Sequence, residues 1–203
     1  MTGLRIAILD NASIFREHLL RQVRLAGAQV VVLPPKTGAD LNAYDGVVIS
    51  GGSWGTAIRE ERRPFIQWYR EVIPHIRKPL LGICQGALLL AYTYDGAGRA
   101  FLRLPQRLKG YVPVRFTPAF PLWEGEAHLY HSTITVIEGV DEGRLIPCAS
   151  SPVSRVEAVM HPTLPHFGLL PHVEVTPQGE PSPILKRFVQ LCEDYTCRVV
   201  HRG

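Results

Sequence analysis

Cys84 stands between two apolar runs, in LLGICQGALLL (residues 80–90). A thiol at such a joint is either a small buried residue or a nucleophile held at the top of a sheet. A thiol nucleophile needs a base that later protonates the leaving group, and the base needs a carboxylate to fix its tautomer. The segment LLPHVEV supplies both, as His172 and Glu174. If that segment is extended, the two side chains share one face and the carboxylate can hold the imidazole. Taken singly, Cys84 reads as a core thiol and His172 as a surface histidine. Taken together, they read as nucleophile and base, with Glu174 as the orienting acid.

These side chains need a scaffold that brings them together. LRIAILD, QVVVLP, DGVVISGG and KPLLGIC are short apolar runs, nearly continuous rather than alternating. Helical spacing separates them: Phe15, Leu19, Val23 and Ala26, with Asn11 and Ser13 as candidate caps, then Ile66, Tyr69 and Ile73, then QGALLLAYTY. This alternation predicts an α/β fold with an open, mostly parallel, flavodoxin-like sheet and helices on both faces. The second half changes character. LKGYVPVRFT, HLYHSTITVI, LIPCAS and VEAVMH predict a smaller antiparallel portion, with prolines at its edges and turns. A last helix starts at SPILKRFVQLCEDY, with Ser182 as cap and Pro183 in the first turn. No repeat or linker interrupts the pattern, so one domain over 1–203 is expected.

In a parallel sheet, ligands bind beyond the carboxyl ends of the strands. Cys84 lies at the fourth strand's end and at the start of a helix, whose free N–H groups favour a thiolate. Gly51 and Gly52 end the third strand and let backbone N–H groups approach a ligand. The net charge of +4, from 22 basic and 18 acidic residues, is mild, and the arginines are scattered. Nucleic acid is therefore not an expected partner. Nor is a membrane, because no 18-residue apolar run occurs. The start MTGLRIAILD reads as a first strand rather than a leader, so a cytoplasmic location is expected. Cys148, Cys192 and Cys197 match no zinc spacing and read as ordinary thiols. The His128–His131 pair lacks further ligands, so no metal is expected. No phosphate-binding glycine motif occurs, and no cofactor is expected. His161 and His166 lie close enough to the His172 segment in sequence to be candidate pocket residues.

Along almost its whole length the chain resembles the class I glutamine amidotransferases, and its start is similar to glutaminase subunits of anthranilate and aminodeoxychorismate synthases. YDGVVISGGSWG resembles the family's oxyanion strand, LLGICQG its nucleophile elbow, YHSTIT its substrate-carboxylate loop and HFGLLPHVEV its His–Glu segment. The resemblance implies a Cys84–His172–Glu174 triad that cleaves glutamine through a γ-glutamyl thioester and passes ammonia to a separate synthase protein. It implies an oxyanion hole from the backbone N–H groups of Gly52 and Gln85. Ser132 and Thr133 would hold the amino-acid end of the substrate, with Gly51 and residue 88 beside it. Three positions depart from the family pattern. Leu88 stands where the family has a substrate-binding Gln, Val173 stands in place of Pro, and Ser53–Trp54–Gly55 replaces the usual glycine-loop residues. An apolar residue at 88 removes a polar contact to the substrate. Two other readings follow: a triad enzyme acting on another γ-glutamyl, amide or ester substrate, and a regulatory subunit built on the amidotransferase fold. The intracellular-protease group, with its own cysteine elbow, fits less well, because Gln85 rather than His follows the cysteine.

Overall fold

The computed structural model describes residues 3–52, 63–95 and 101–200. Nine strands form one sheet in the order β2-β1-β3-β4-β9-β8-β7-β5-β6. In chain order they are β1 (Arg5–Asn11), β2 (Gln29–Leu33), β3 (Gly46–Gly52), β4 (Leu80–Ile83), β5 (Phe101–Phe116), β6 (Gly125–Ile137), β7 (Ile146–Ser150), β8 (Ala158–Met160) and β9 (His166–Leu169). The helices are α1 (Arg16–Leu25), α2 (Arg63–Val72), α3 (Gln85–Asp95) and α4 (Pro183–Val200). From β2 to β9 every neighbour is parallel, and from β9 to β6 every neighbour is antiparallel. The α/β class, the parallel first half and the antiparallel second half are those the sequence predicts.

The apolar runs are buried on both faces, and alternate residues divide between two cores. Ile6, Ile8, Val48, Leu81 and Ile83 pack with Leu19 and Val23 of α1 and Leu185 and Phe188 of α4. Ala7, Leu9, Val47, Ile49 and Leu80 pack with Ile66 and Tyr69 of α2 and Leu89 and Leu90 of α3. This is the two-residue period of a strand read on both faces. Each fully buried Leu or Ile contributes about 1.5–3 kcal/mol of transfer free energy.

Polar groups fasten the strand ends. Asn11 donates its amide N–H to the Ser50 carbonyl at 3.1 Å and accepts from the buried Tyr69 hydroxyl at 2.7 Å. Asn11 is thus a clamp between β1, β3 and α2, not a cap of α1. Ser13 caps no helical turn either, because α1 begins after Phe15, whose N–H meets the Ser13 hydroxyl. Ser182 does cap α4, accepting from the Leu185 N–H at 3.3 Å.

Two elements differ from the sequence reading. His166–Leu169 forms a parallel strand beside β4, from Leu80↔His166 to Ile83↔Leu169. Its four residues are all buried and carry no alternation, so periodicity has nothing to register. β5 begins at Phe101, before the expected LKGYVPVRFT, and its register with β6 slips between Arg103 and Leu108. Pro105 lies in that irregularity, where a residue without an N–H is tolerated. Among the described residues no helix is long and apolar enough to cross a membrane.

Candidate active site

β4 runs straight into α3, and Cys84 is the single residue between them. Its φ of 51° lies in the left-handed region, which a residue with a Cβ adopts only at a cost of about 1–2 kcal/mol. Its N–H donates to the Leu169 carbonyl at 2.8 Å, and its own carbonyl accepts from Leu88 at 3.1 Å as the first bond of α3. The turn is this sharp because α3 lies directly on the sheet. Gly82 and Gly168 are paired in register beneath it. A Cβ on Gly82 would collide with the Gly86 carbonyl, and one on Gly168 would press on Ala87.

His172 and Glu174 reach this elbow from the segment after β9. The His172 N–H donates to the Tyr130 carbonyl of β6 at 2.7 Å, and its carbonyl accepts from Val175 at 3.1 Å. The segment is therefore a tight turn rather than the extended run considered from sequence, and the turn, not a shared strand face, brings the side chains together. His172 Nδ1 meets Glu174 Oε1 at 2.7 Å, with both side chains buried. That leaves Nε2 free of Glu174, and Cys84 lies beside the ring, its Cβ and His172 Cε1 both facing Gly51. Burial alone would lower the imidazole pKa. The Glu174 charge, the largest opposing influence, together with the neighbouring Cys84 and the hydrogen bond to Glu174, outweighs it and raises the value to about 10. His172 is thus pushed toward its protonated form, beside a candidate nucleophile. The Phe15 ring packs edge-on against it, with centroids 4.6 Å apart.

Gly51 closes in on the pair. A Cβ there would come within 2.9 Å of His172 Cε1 and 3.6 Å of Cys84 Cβ. Gly52, Cys84, Gln85, Leu88, Ser132 and Thr133 line one small space of about 10 Å³ together with Arg107 and Ile134. A wider cleft of about 320 Å³ adjoins it, bordered by Ser13, Ile14, Phe15, Lys109, Tyr130 and His172 and sharing Gly52, Arg107 and Ser132. The nine residues to which the family resemblance gives roles therefore lie together in one place. Ser53, Trp54 and Gly55 lie outside the described residues.

Some of the site has no counterpart in the sequence reading. Arg107 leaves the irregular part of β5 and donates from Nη1 to the Ser132 carbonyl at 3.1 Å. The strand slip that aims it leaves no mark in composition. Ser13, Ile14 and Phe15 follow β1, and the strand-end rule applied to β1 as well as to β3 and β4 points to them.

Other histidines do different work. His166 sits at the opposite end of β9, with Nε2–H donating to the Ile76 carbonyl at 3.0 Å and Nδ1 accepting from Tyr94 at 2.7 Å. It does not line the pocket. Burial, the largest influence, lowers its pKa to about 4. His161 stacks near Tyr94 at the same far end. His131 meets Glu157 at 2.9 Å with both side chains fully buried. Among the described residues no three His, Cys, Asp or Glu side chains gather as a metal site.

This arrangement can be set beside known proteins. The sequence pattern described as Glutamine amidotransferase class-I matches residues 7–191. The chain is 28% identical over 193 residues to a glutamine-hydrolysing GMP synthase subunit of Picrophilus torridus, covering 93% of this chain and 99% of that one. It is 29% identical over 195 residues to the Methanocaldococcus jannaschii protein of the same name, covering 92% and 97%. A solved Thermoplasma acidophilum structure, provisionally named as the same GMP synthase component, superposes with a TM-score of 0.84 over 100% of both chains at 23% identity, a likeness of fold. With a family pattern spanning nearly all of it and a cysteine elbow meeting a buried His–Glu pair, this chain belongs to the class-I glutamine amidotransferases.

Proposed function

We propose that Cys84, His172 and Glu174 form the catalytic triad of a glutaminase, and that the whole chain acts as one catalytic domain. The carrying observation is the buried His172–Glu174 pair, 2.7 Å apart, brought beside the Cys84 elbow around Gly51. The Cys84 sulfur gives its proton to His172 as it attacks the side-chain carbonyl carbon of glutamine. Backbone N–H groups of Gly52 and Gln85 receive the charge on the carbonyl oxygen, a kind of stabilisation worth about 3 kcal/mol per donor. His172 then protonates the departing nitrogen as the C–N bond breaks, leaving a γ-glutamyl thioester and ammonia. Water attacks the thioester, His172 takes its proton, and glutamate leaves with the sulfur restored. Glu174 keeps Nδ1–H directed away, so that Nε2 does the transfer. Ser132 and Thr133 hold the amino-acid end of glutamine from the edge of β6, and Gly51 leaves room for the imidazole.

The relatives named as glutamine-hydrolysing subunits of GMP synthase support a separate synthase protein as the recipient of the ammonia. A second reading has its own observation. Leu88 lines the space beside Cys84 where the family pattern has an amide, which suits a γ-glutamyl or amide substrate less polar than glutamine. One experiment separates the two. The protein is incubated with a glutamine-like diazo-ketone, its intact mass is measured, and ammonia release from glutamine is assayed in parallel. An adduct on Cys84 with ammonia release is expected. A Cys84 that reacts with iodoacetamide but gives neither adduct nor ammonia would favour the second reading.

A further inference from the structure

Gln85 contributes a backbone N–H to the proposed oxyanion hole, but its side chain is the stranger feature. It is 3% exposed, and neither its amide oxygen nor its amide nitrogen has a hydrogen-bond partner. Leaving a buried polar group unpaired costs about 1–3 kcal/mol, and this amide does so twice. Such groups are rare enough to call for a reason. Gln85 lines the same small space as Cys84, Leu88, Ser132 and Thr133, and its amide oxygen lies so close to Gly52 that a Cβ there would overlap it. Gly52 borders that space too, so the orphan amide lies at the wall of the nucleophile's pocket.

We infer that the Gln85 side chain is the specificity residue for the substrate's amino-acid head, supplying from the first position of α3 the amide that position 88 lacks. This rests on the glutaminase reading above. Residues 85 and 88 are one helical turn apart, so side chains from either reach the same pocket. The amide offers one acceptor and donors together. An α-ammonium and an α-carboxylate require that combination, and a flip of the amide exchanges its ends without moving the side chain. Leu88, half-buried, then packs beside the substrate's methylenes. A ligand with this head satisfies both orphan groups, which makes its binding discriminate against simple amides.

The test uses three variants of the full chain and the wild type. Gln85→Leu keeps the backbone N–H and removes the side-chain amide. It raises KM for glutamine on the order of 30-fold, with kcat changed much less. Labelling by the diazo-ketone slows in step, while labelling by iodoacetamide, which has no amino-acid head, slows far less. Gln85→Leu combined with Leu88→Gln returns the amide to the pocket from one turn further on and regains most of the KM. Leu88→Gln alone places a partner beside Gln85, satisfies the orphan groups internally, and does not lower KM. An unchanged KM in Gln85→Leu, or a lowered one in Leu88→Gln, overturns the inference while leaving the glutaminase reading intact. If Gln85→Leu does not fold, Leu88→Gln alone still decides. A wild type that yields neither adduct nor ammonia overturns the glutaminase reading, and this inference with it.

Discussion

Two buried His–Glu pairs lie on either side of one strand. Tyr130 and Ser132 of β6 line the cleft, and Tyr130 holds the His172 backbone. His131, between them, faces the interior and meets Glu157. The chemistry is the same and the completeness is not. His131 has both nitrogens occupied, by the Leu129 carbonyl at 3.1 Å and by Glu157 at 2.9 Å, and the second Glu157 oxygen accepts from Ser151 at 2.5 Å. In the other pair Glu174 Oε2 has no partner, and of the His172 nitrogens only Nδ1 is held, by Glu174. A closed network fixes a strand, whereas an open one can move a proton. The difference is not in residue type, burial or distance, but in which valences remain unspent.

The comparison breaks most sharply under the same change made in both pairs. Glu174→Gln keeps the shape and loses the charge that sustains the imidazolium. Ammonia release should fall on the order of 10³–10⁴-fold. Glu157→Gln should act on stability instead. Glu157 meets both His131 and Ser151, and an amide in its place leaves a buried donor unpaired, at about 1–3 kcal/mol. Ammonia release per folded molecule should change little. Urea unfolding and a glutaminase assay on both variants are sufficient. Equal losses of rate in the two variants would erase the functional distinction between the pairs.

A histidine with no carboxylate sharpens the contrast. His166 is as buried as His172, but its nitrogens meet a carbonyl and a tyrosine hydroxyl, and its pKa falls to about 4 where that of His172 rises to about 10. The unfolded chain protonates His166 near 6.5, the folded chain near 4. Below 6.5 unfolding therefore takes up a proton, and stability falls as pH drops from 6.5 to 4, by about 3 kcal/mol at the limit. The His172 contribution has the opposite sense. It is fully present below 6.5 and is lost as pH rises through 10. Proton NMR of the imidazole carbons should show one ring neutral down to about pH 4 and another charged at pH 8. A His166 signal titrating near 6.5 would mean that burial does not govern it.

How much of this the sequence discloses depends on whether a feature is local. The elbow is local: an apolar run, Cys84, then Gly86. So is the proximity of His172 to Glu174, although their turn is not legible, because two residues of spacing fit a strand equally well. The parallel half of the sheet follows from continuous apolar runs between helical ones. β9 escapes because four fully buried residues carry no period. Arg107 escapes because its aim depends on a slip between two strands, which is a property of the pairing. The closed state of His131 escapes for the same reason, since Glu157 is distant in the chain and nothing in HLYH points to it. Position 88 is legible as a departure. The Gln85 side chain is not, because being unpartnered is visible only when every neighbour is in place.

The smallest expected effect concerns how the open pair is kept in place. Glu157 and a backbone carbonyl meet the two nitrogens of His131, whereas the His172 ring is held by Glu174 and by the edge-on contact of Phe15. Such an aromatic contact is worth about 0.5–1.5 kcal/mol. Phe15 also borders the cleft and touches Tyr130, with centroids 5.7 Å apart. Phe15→Leu keeps an apolar wall but loses the planar surface against the imidazole. The ring then samples orientations in which Nε2 does not face the sulfur. kcat should fall several-fold, about 3- to 10-fold if the whole contact energy is lost, while the thermal midpoint moves little because the residue is only half-buried. A Phe15→Leu variant with wild-type kcat would mean that Glu174 alone is sufficient to orient His172. The open pair would then be as rigid as the closed one, and the two would differ only in access to the cleft.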